Sequence, residues 1–449
     1  MSNNNASVLI YAPVITNRLR YTFDLLFSSM SGISVVYSAD KVFFTQHTNA
    51  KINYSFERIS DELIFIRSHS LLFEKDIQKI NIESVFKTTP LNLCDIPAMV
   101  FLCVSRYEEY NVSSSELDHH GRFTAAASFA GRYGFLHQPV VNIWLEQLRV
   151  VLRTAYPNLI FSSGEYKFQP TFDIDIAWQF KNRSVLRSGV GLIKDILKFR
   201  FDSILQRIKS FGNNFSDVYD TFEMIQGIDK SGTKAIYFWL LGNYGRFDKN
   251  IHWRNPALKE LILEKEVQNH IGIHPSYKTN IHKRQLALEI HRLESLSGKK
   301  ITHSRQHFLK LSMPDTYRNL IKAGITDDYT MGYADDIGFR AGIATPFYWF
   351  DLERDEVTSL KIHPFQVMDV SLKNYLKLTP EQALERVKII IDDIKAVNGE
   401  FCTLWHNTSL SETTEWRRWS EVYIEIVNYA LQKDFLKNEN NKKIFKLPQ

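Results

Sequence analysis

Cysteine is scarce in this chain of 449 residues, which contains only Cys94, Cys103 and Cys402. The number is odd and no pair has the Cys-x-x-Cys spacing, so the sequence argues against both a disulfide framework and a cysteine zinc site. We expect these residues to be reduced thiols of a cytosolic protein.

Long hydrophobic runs and a strong charge of one sign are also missing. No stretch reaches the roughly 18 uninterrupted apolar residues that a membrane span requires. The N-terminal "MSNNNASVLIYAPVI" lacks the basic segment and long apolar run of a signal peptide. We therefore predict a cytoplasmic location. The formal net charge of +5 is spread along the chain and gives no indication of nucleic-acid binding.

The length of the chain exceeds that of one ordinary hydrophobic core, which favours two domains. We predict a smaller α/β accessory domain over residues 1–160, a larger domain over 165–435 and a loose tail over 436–449. In the larger domain, strand-like and helix-like segments alternate, as in βα units that build a parallel sheet. The repetition is sufficient for a barrel, whose functional residues would follow the carboxyl ends of the strands.

The segment "HIGIHPS" places His270 and His274 four residues apart. In a strand, both imidazoles would project from one face, because side chains alternate with a period of two. Zinc favours two such nitrogen ligands with a carboxylate as the third. The alternative is two solvent-facing histidines on a half-buried strand.

The segment "TFDIDIAW" supplies candidate carboxylates. Asp173 and Asp175 alternate with apolar residues, so both would lie on one side of a strand end. Buried carboxylates are costly unless they are paired or bind a metal. Arg305, in "SRQHFLKLSMP", could keep such a carboxylate ionised and oriented. Taken alone, an acidic pair at a strand end and a surface arginine are the ordinary alternatives.

A late histidine and an aspartate complete the set of candidates. His406 ends the apolar run in "FCTLWHNT", and Asp369 ends another strand-like run in "PFQVMDVS". Asp369 could accept a hydrogen bond from His406 and raise its pKa. The alternative for His406 is a core histidine or a surface cap.

In this order, "TFDID", "HIGIHPS", an arginine and "LWH" resemble the polysaccharide deacetylase superfamily (NodB-homology domains, carbohydrate esterase family four). The resemblance covers about residues 165–410. It implies a distorted (β/α)7-type barrel. The N-terminal "SRYEEY", "DHHGRF" and "QPVVNIW" resemble an accessory domain that precedes deacetylase domains in Bacteroidetes-type bacterial proteins.

The resemblance implies a metal site that holds Zn²⁺ or another divalent ion. The matching ligands are Asp175, His270 and His274. In much of the family the metal aspartate directly follows the first aspartate, whereas here Ile174 separates the two. The Asp-x-Asp branches of the family place the metal ligand as Asp175 is placed here.

The resemblance also implies the catalytic roles. Asp173 matches the general base, and Arg305 matches the arginine that orients it. His406 matches the general acid, with Asp369 as its tuning partner.

The implied activity is the hydrolytic removal of N-acetyl, or O-acetyl, groups from a sugar or glycan. Two alternatives remain: another C–N amide hydrolase such as an allantoinase-like enzyme, or a catalytically silent carbohydrate-binding protein. Arg340, Tyr348 and Trp405 are candidates for substrate binding, against the alternative of ordinary packing and a salt bridge.

The basic, amphipathic stretch over residues 182–210 allows two interpretations. It could lie on an anionic membrane surface, where lipid-linked sugars reside. It could instead pack its Leu and Ile stripe on the barrel, and we favour this second interpretation.

Overall fold

The computed structural model describes residues 7–60, 64–78, 95–162, 164–183, 189, 192–193, 195–199, 201–209, 216–229, 233–280 and 282–432. The tail predicted over residues 436–449 lies outside these ranges. Within them, no helix has the length and apolar character needed to cross a membrane.

The N-terminal region is built on a small parallel sheet. Its strands are β1 (Ser7–Tyr11), β2 (Ser34–Ser38), β3 (Lys51–Ser55) and β4 (Ile64–Arg67), in the order β2-β1-β3-β4. All three pairings are parallel. The α-helices of this region are Asn17–Phe23, Lys41–Gln46, Ile96–Ser105, Phe129–Arg132 and Val140–Ala155. The predicted α/β character of this region is therefore confirmed.

A second, larger sheet follows. Its strands are β5 (Lys167–Ile174), β6 (Ile236–Trp239), β7 (His270–Ile273), β8 (His303–Ser304), β9 (Asp327–Asp328), β10 (Phe347–Asp351), β11 (Glu356–Ile362), β12 (Val367–Met368) and β13 (Glu400–His406). The order is β10-β11-β9-β8-β7-β6-β5-β13-β12. Every pairing is parallel except that of β10 with β11, which is antiparallel.

Helices lie between strands of this sheet, and one more follows its last strand β13. They are Phe201–Lys209, Phe222–Asp229, Pro256–Gln268, Lys283–Ser297, Asp315–Lys322, Pro380–Ala396 and Trp419–Leu431. Their ends follow from local sequence. Thr379 and Gln382 form a capping box ahead of the helix that begins at Pro380. Gly298, with φ of 73°, ends another helix in the left-handed conformation that glycine adopts without strain.

The mixed α/β architecture with a parallel sheet agrees with the prediction, but closure into a barrel is a separate matter. In the described ranges, no strand pairing joins β10 to β12, the two outer strands of the larger sheet. The closed (β/α)7 form therefore stays a prediction.

Gly272, in the middle of "HIGI", is required by close packing of β7 against its neighbours. A Cβ atom there would lie 2.6 Å from Cε1 of Phe238 and 2.9 Å from the backbone oxygen of His303. Any other residue at this position would push β6 or β8 away. The carboxyl end of β7, where His274 follows, depends on this close fit.

The stretch over 182–210 does not pack as we favoured from the sequence. Ile193, Leu197, Phe199, Phe201 and Leu205 are all exposed. The interpretation that this apolar stripe covers the barrel is therefore wrong for these residues. Contact with a membrane surface stays a prediction.

Candidate metal centre

The candidate residues meet because parallel strands direct their carboxyl ends to one edge of the sheet. Asp173 lies in β5, directly opposite His406 in the neighbouring β13. His274 is the first residue after β7, and Arg305 is the first after β8. Asp369 is the first residue after β12. The sequence places each of these side chains at a strand end, and the sheet brings the strand ends together.

Asp175, His274 and His307 form a cluster whose ligand atoms all lie within 4.8 Å of one another. Nε2 of His274 is 3.3 Å from Oδ1 of Asp175, and Nε2 of His307 is 3.5 Å from Oδ2 of the same carboxylate. Both histidines are buried. One carboxylate and two imidazoles are a donor set that suits zinc.

The second nitrogen of each imidazole is already bound. Nδ1 of His274 lies 2.6 Å from the backbone oxygen of Arg305, and Nδ1 of His307 lies 2.9 Å from Oδ1 of Asp248. Both partners only accept hydrogen bonds, so each Nδ1 carries the proton. In the neutral imidazoles, both Nε2 atoms then present lone pairs towards Asp175. A carboxylate or carbonyl behind the ligand is the usual support of a metal-binding histidine.

The charges of the cluster fit a cation. Oδ1 of Asp175 is buried and makes no hydrogen bond. Burial raises the pKa of Asp175, but His307 and His274 outweigh that effect and hold the pKa well below its ordinary value. Burial lowers the pKa of His307, but the charge of Asp175 outweighs it and raises the pKa to about 9. The space between three such groups favours a positive charge, whether it is a proton or a metal ion.

The prediction that His270 joins this cluster is wrong. His270 begins β7 and His274 follows its end, so a rise of about 3.3 Å per residue separates them by roughly 13 Å. Sharing a face of the strand does not bring the two imidazoles together. His270 is exposed and stacks on His303, with ring centroids 6.0 Å apart.

His307, which was not predicted from the sequence, takes the place expected for His270 in the cluster. It follows Arg305 by two residues, in the loop after the two-residue strand β8. The sequence signal that could have identified His307 is its position shortly after the end of a strand. Asp248, which binds its Nδ1, lies 59 residues away in the sequence, so nothing local marked the pair.

Asp173 and Arg305 form a buried ion pair beside the cluster. Nη1 of Arg305 donates to Oδ1 of Asp173 at 3.0 Å and to the hydroxyl of Thr171 at 2.6 Å. The other carboxylate oxygen of Asp173 is 3.6 Å from Nε2 of His274. One oxygen of Asp173 is thus fixed by the arginine, and the other faces the cluster.

His406 and Asp369 form a second pair on the other side of the site. Nδ1 of His406 lies 2.9 Å and 3.1 Å from the two oxygens of Asp369, which also accepts from the His406 backbone N–H at 2.7 Å. Burial lowers the pKa of His406, but the charge and hydrogen bonds of Asp369, with the charges of Asp175 and Asp173, outweigh it and raise the pKa to about 10. Nε2 of His406 points to Asp175 at 3.9 Å.

One cavity of about 210 Å³ is lined by Asp173, Asp175, His274, His307 and His406. Its walls also include Gln306, Phe308, Leu309, Met368, Val370, Tyr375, Leu404 and, from the N-terminal region, Arg122. The cavity therefore combines the candidate cluster of Asp175, His274 and His307 with the buried carboxylate of Asp173, the imidazole of His406 and partly apolar walls.

None of the three predicted substrate-binding residues lines this cavity. Arg340 is buried and donates to Glu109 in a salt bridge of 2.6 Å. Its charge is therefore neutralised at the contact between the two regions of the chain. Trp405 is fully buried against Tyr423, because it faces the opposite side of β13 from His406. Tyr348 is half-exposed and lines a different cavity, of about 930 Å³.

One family model matches residues 8–157 and is described as a family of unknown function (DUF7033). No curated protein matches the sequence.

Among solved structures, one assigned as a polysaccharide deacetylase from Mycobacterium smegmatis aligns with 14% identity and a TM-score of 0.38, over 59% of this chain and 85% of that one. A polysaccharide deacetylase from Bacillus cereus aligns with 11% identity and a TM-score of 0.29, over 58% and 85%. A 4-alpha-glucanotransferase from Thermococcus litoralis aligns with 12% identity and a TM-score of 0.36, over 60% and 37%. Similarity at this level supports no conclusion about function. Such a conclusion has to rest on the geometry of the site.

Proposed function

We propose that this protein is a metal-dependent hydrolase that removes acetyl groups from an N-acetylated sugar or glycan. The observation that carries the proposal is the arrangement around Asp175. Two imidazoles turn their Nε2 atoms to this carboxylate, with an arginine-paired carboxylate on one side and an aspartate-paired histidine on the other. The order of motifs along the chain, which resembles the polysaccharide deacetylases, supports a carbohydrate as the substrate.

Asp175, His274 and His307 would hold the ion, which we infer to be zinc from the donor set. A divalent ion bound there would polarise the acyl carbonyl and make water acidic enough to react near neutral pH. Asp248 and the backbone oxygen of Arg305 would keep the two imidazoles in the tautomer that binds a cation.

Asp173 would act as the general base. Arg305 holds its carboxylate in position, and the carboxylate oxygen next to the cluster would take the proton from the attacking water. His406 would act as the general acid. Its Nδ1–H is bound by Asp369, and its Nε2–H, which faces the cluster, would protonate the departing amine. The products would be acetate and an amino sugar.

Acetate release tests the proposal directly. The zinc-loaded 449-residue chain would be incubated with N-acetylglucosamine oligomers and with O-acetylated xylan, and free acetate would be measured enzymatically. We expect release from the N-acetylated substrate, with loss of release in an Asp175→Ala variant. Zinc binding without acetate release from either substrate would contradict the proposal and favour hydrolysis of another amide or a silent binding protein.

Asp369→Asn should move the alkaline limit of activity to lower pH. His406 acts while protonated, so the rate falls as pH rises through the His406 pKa of about 10, to which the negative charge of Asp369 contributes the largest increase. Without that negative charge the pKa drops, and the alkaline limb of the kcat/KM profile should shift down by more than about one unit. Metal content serves as the control and should not change. An alkaline limb that stays in place would show that Asp369 does not tune the acid.

A further inference from the structure

A loop of the N-terminal region, residues 118–122 ("DHHGR"), reaches the cavity of the candidate site. The loop is closed on itself, because the backbone N–H of Asp118 donates to the backbone oxygen of Arg122 at 2.9 Å. The N–H of Arg122 donates in turn to Oδ1 of Asp118 at 2.9 Å. These two hydrogen bonds fix the position of the Arg122 backbone. Its buried side chain extends from the N-terminal region and lines the cavity.

Arg122 connects two segments that carry candidate catalytic groups. Its Nη1 donates to the backbone oxygen of Phe308 at 3.0 Å, one residue after His307. Its Nη2 donates to the hydroxyl of Tyr375 at 2.7 Å, at the end of the short helical turn that follows Asp369. One guanidinium thus binds the segment of a candidate metal ligand and the segment that orients the candidate acid.

The segment after His307 needs such support. Phe308 and Leu309 have φ angles of 60° and 53°, in the left-handed region that side chains other than glycine rarely adopt. This conformation persists only where the surroundings hold it. The ring of His120, from the same N-terminal loop, packs on Phe308 with centroids 4.7 Å apart.

The positive charge of Arg122 is paired with Asp118 of the same loop. Its Nε donates to Oδ2 of Asp118 at 2.7 Å, and Asp118 also accepts from Nη2. The guanidinium is therefore neutralised by a carboxylate of its own loop, and its forked donors are used by Asp118, Phe308 and Tyr375. Such an arrangement is suited to fixing geometry rather than to binding a charged substrate.

We propose that the 118–122 loop completes the hydrolase site and that Arg122 is a positioning residue for His307 and for the Asp369–Tyr375 segment. The inference rests on the proposed function for its catalytic consequence. It gives a role to part of residues 8–157, the portion matched by the family of unknown function. In this account, the N-terminal region is a structural part of the enzyme.

The test compares Arg122→Ala, Arg122→Lys and Tyr375→Phe with His137→Ala in the 449-residue chain. His137 makes another contact between the two regions, 3.3 Å from Asp336, away from the cavity. Zinc affinity would be measured by calorimetry on metal-free protein, together with kcat and KM. Hydrogen–deuterium exchange of metal-free protein would report on residues 305–312 and 369–376.

For Arg122→Ala we expect zinc affinity to fall by roughly 10–100-fold, and kcat to fall more than KM changes. Amide exchange should accelerate in both segments and not in the N-terminal sheet. Arg122→Lys should recover part of the loss. Tyr375→Phe, which removes one acceptor, should accelerate exchange mainly over residues 369–376. His137→Ala should match the wild type throughout.

Wild-type zinc affinity and unchanged exchange in Arg122→Ala would overturn the proposal. Equal effects of His137→Ala and Arg122→Ala would also overturn it, because general docking of the two regions would then explain the result. A wild-type protein that binds no zinc would refute the proposed function instead. In that case the exchange data would still decide whether Arg122 holds the two segments.

Discussion

Replacing His307 with alanine is expected to remove the bound divalent ion and abolish hydrolysis. The imidazole of His307 supplies one of three ligand atoms that lie within 4.8 Å of one another. Zinc bound through a single carboxylate and a single imidazole would be lost in washing. We expect metal content to fall from about one ion per chain to nearly none, and turnover to fall by at least about 100-fold. Elemental analysis and the acetate assay measure the two effects.

His270→Ala is the matched control, since it removes the same side chain from the exposed start of β7. We expect its metal content and turnover to equal those of the wild type. The reverse pattern, with metal lost in His270→Ala and kept in His307→Ala, would refute the ligand assignment made from the structure and restore the one made from the sequence.

Asp173→Asn should abolish turnover while leaving the metal in place. Asp173 lies outside the three-residue cluster, and asparagine keeps an oxygen that can accept from Nη1 of Arg305. The amide cannot take a proton from water, so the general-base contribution of roughly 10²–10⁴-fold in kcat should disappear. The measurements are kcat on the acetylated substrate and metal content.

Asp327→Asn is the control for this change. Asp327 pairs with His363 at 2.9 Å and does not line the cavity, so its replacement should leave kcat unchanged. Turnover in Asp173→Asn within a few-fold of the wild type would exclude Asp173 as the base. Loss of metal in Asp173→Asn would instead assign this residue to the metal site.

Much of the site could be predicted because parallel strands place their carboxyl ends together. Alternation in "TFDIDI" put Asp173 and Asp175 at one such end, and apolar runs ended at Asp369 and His406. The structure brings these four residues into one cavity or against its walls. Strand direction and side-chain alternation are local properties, so the sequence was sufficient for them.

The candidate metal ligands show where local patterns stop being sufficient. Period-two alternation predicts one strand face for His270 and His274, but it does not say that only one end of the strand reaches the site. His307 follows a strand of two residues, too short for any periodic signal. Its Asp248 partner comes from a loop elsewhere in the chain.

The remaining differences come from tertiary packing. Trp405 and His406 are adjacent in β13, so side-chain alternation places them on opposite faces. With His406 facing the cavity, Trp405 faces the core, and alternation would have predicted this. Arg340 has no such signal, because its partner Glu109 belongs to the N-terminal region. For the same reason the role of Arg122 appears only when that region is docked on the sheet.

The most direct test of the central claim is the zinc anomalous signal from crystals of the 449-residue chain grown with zinc. We predict one strong peak for a zinc ion coordinated by the carboxylate of Asp175, Nε2 of His274 and Nε2 of His307, at about 2.0–2.2 Å from each. No peak between these three side chains in the presence of excess zinc would contradict the account. A peak held instead by His270 and His303 would contradict it equally.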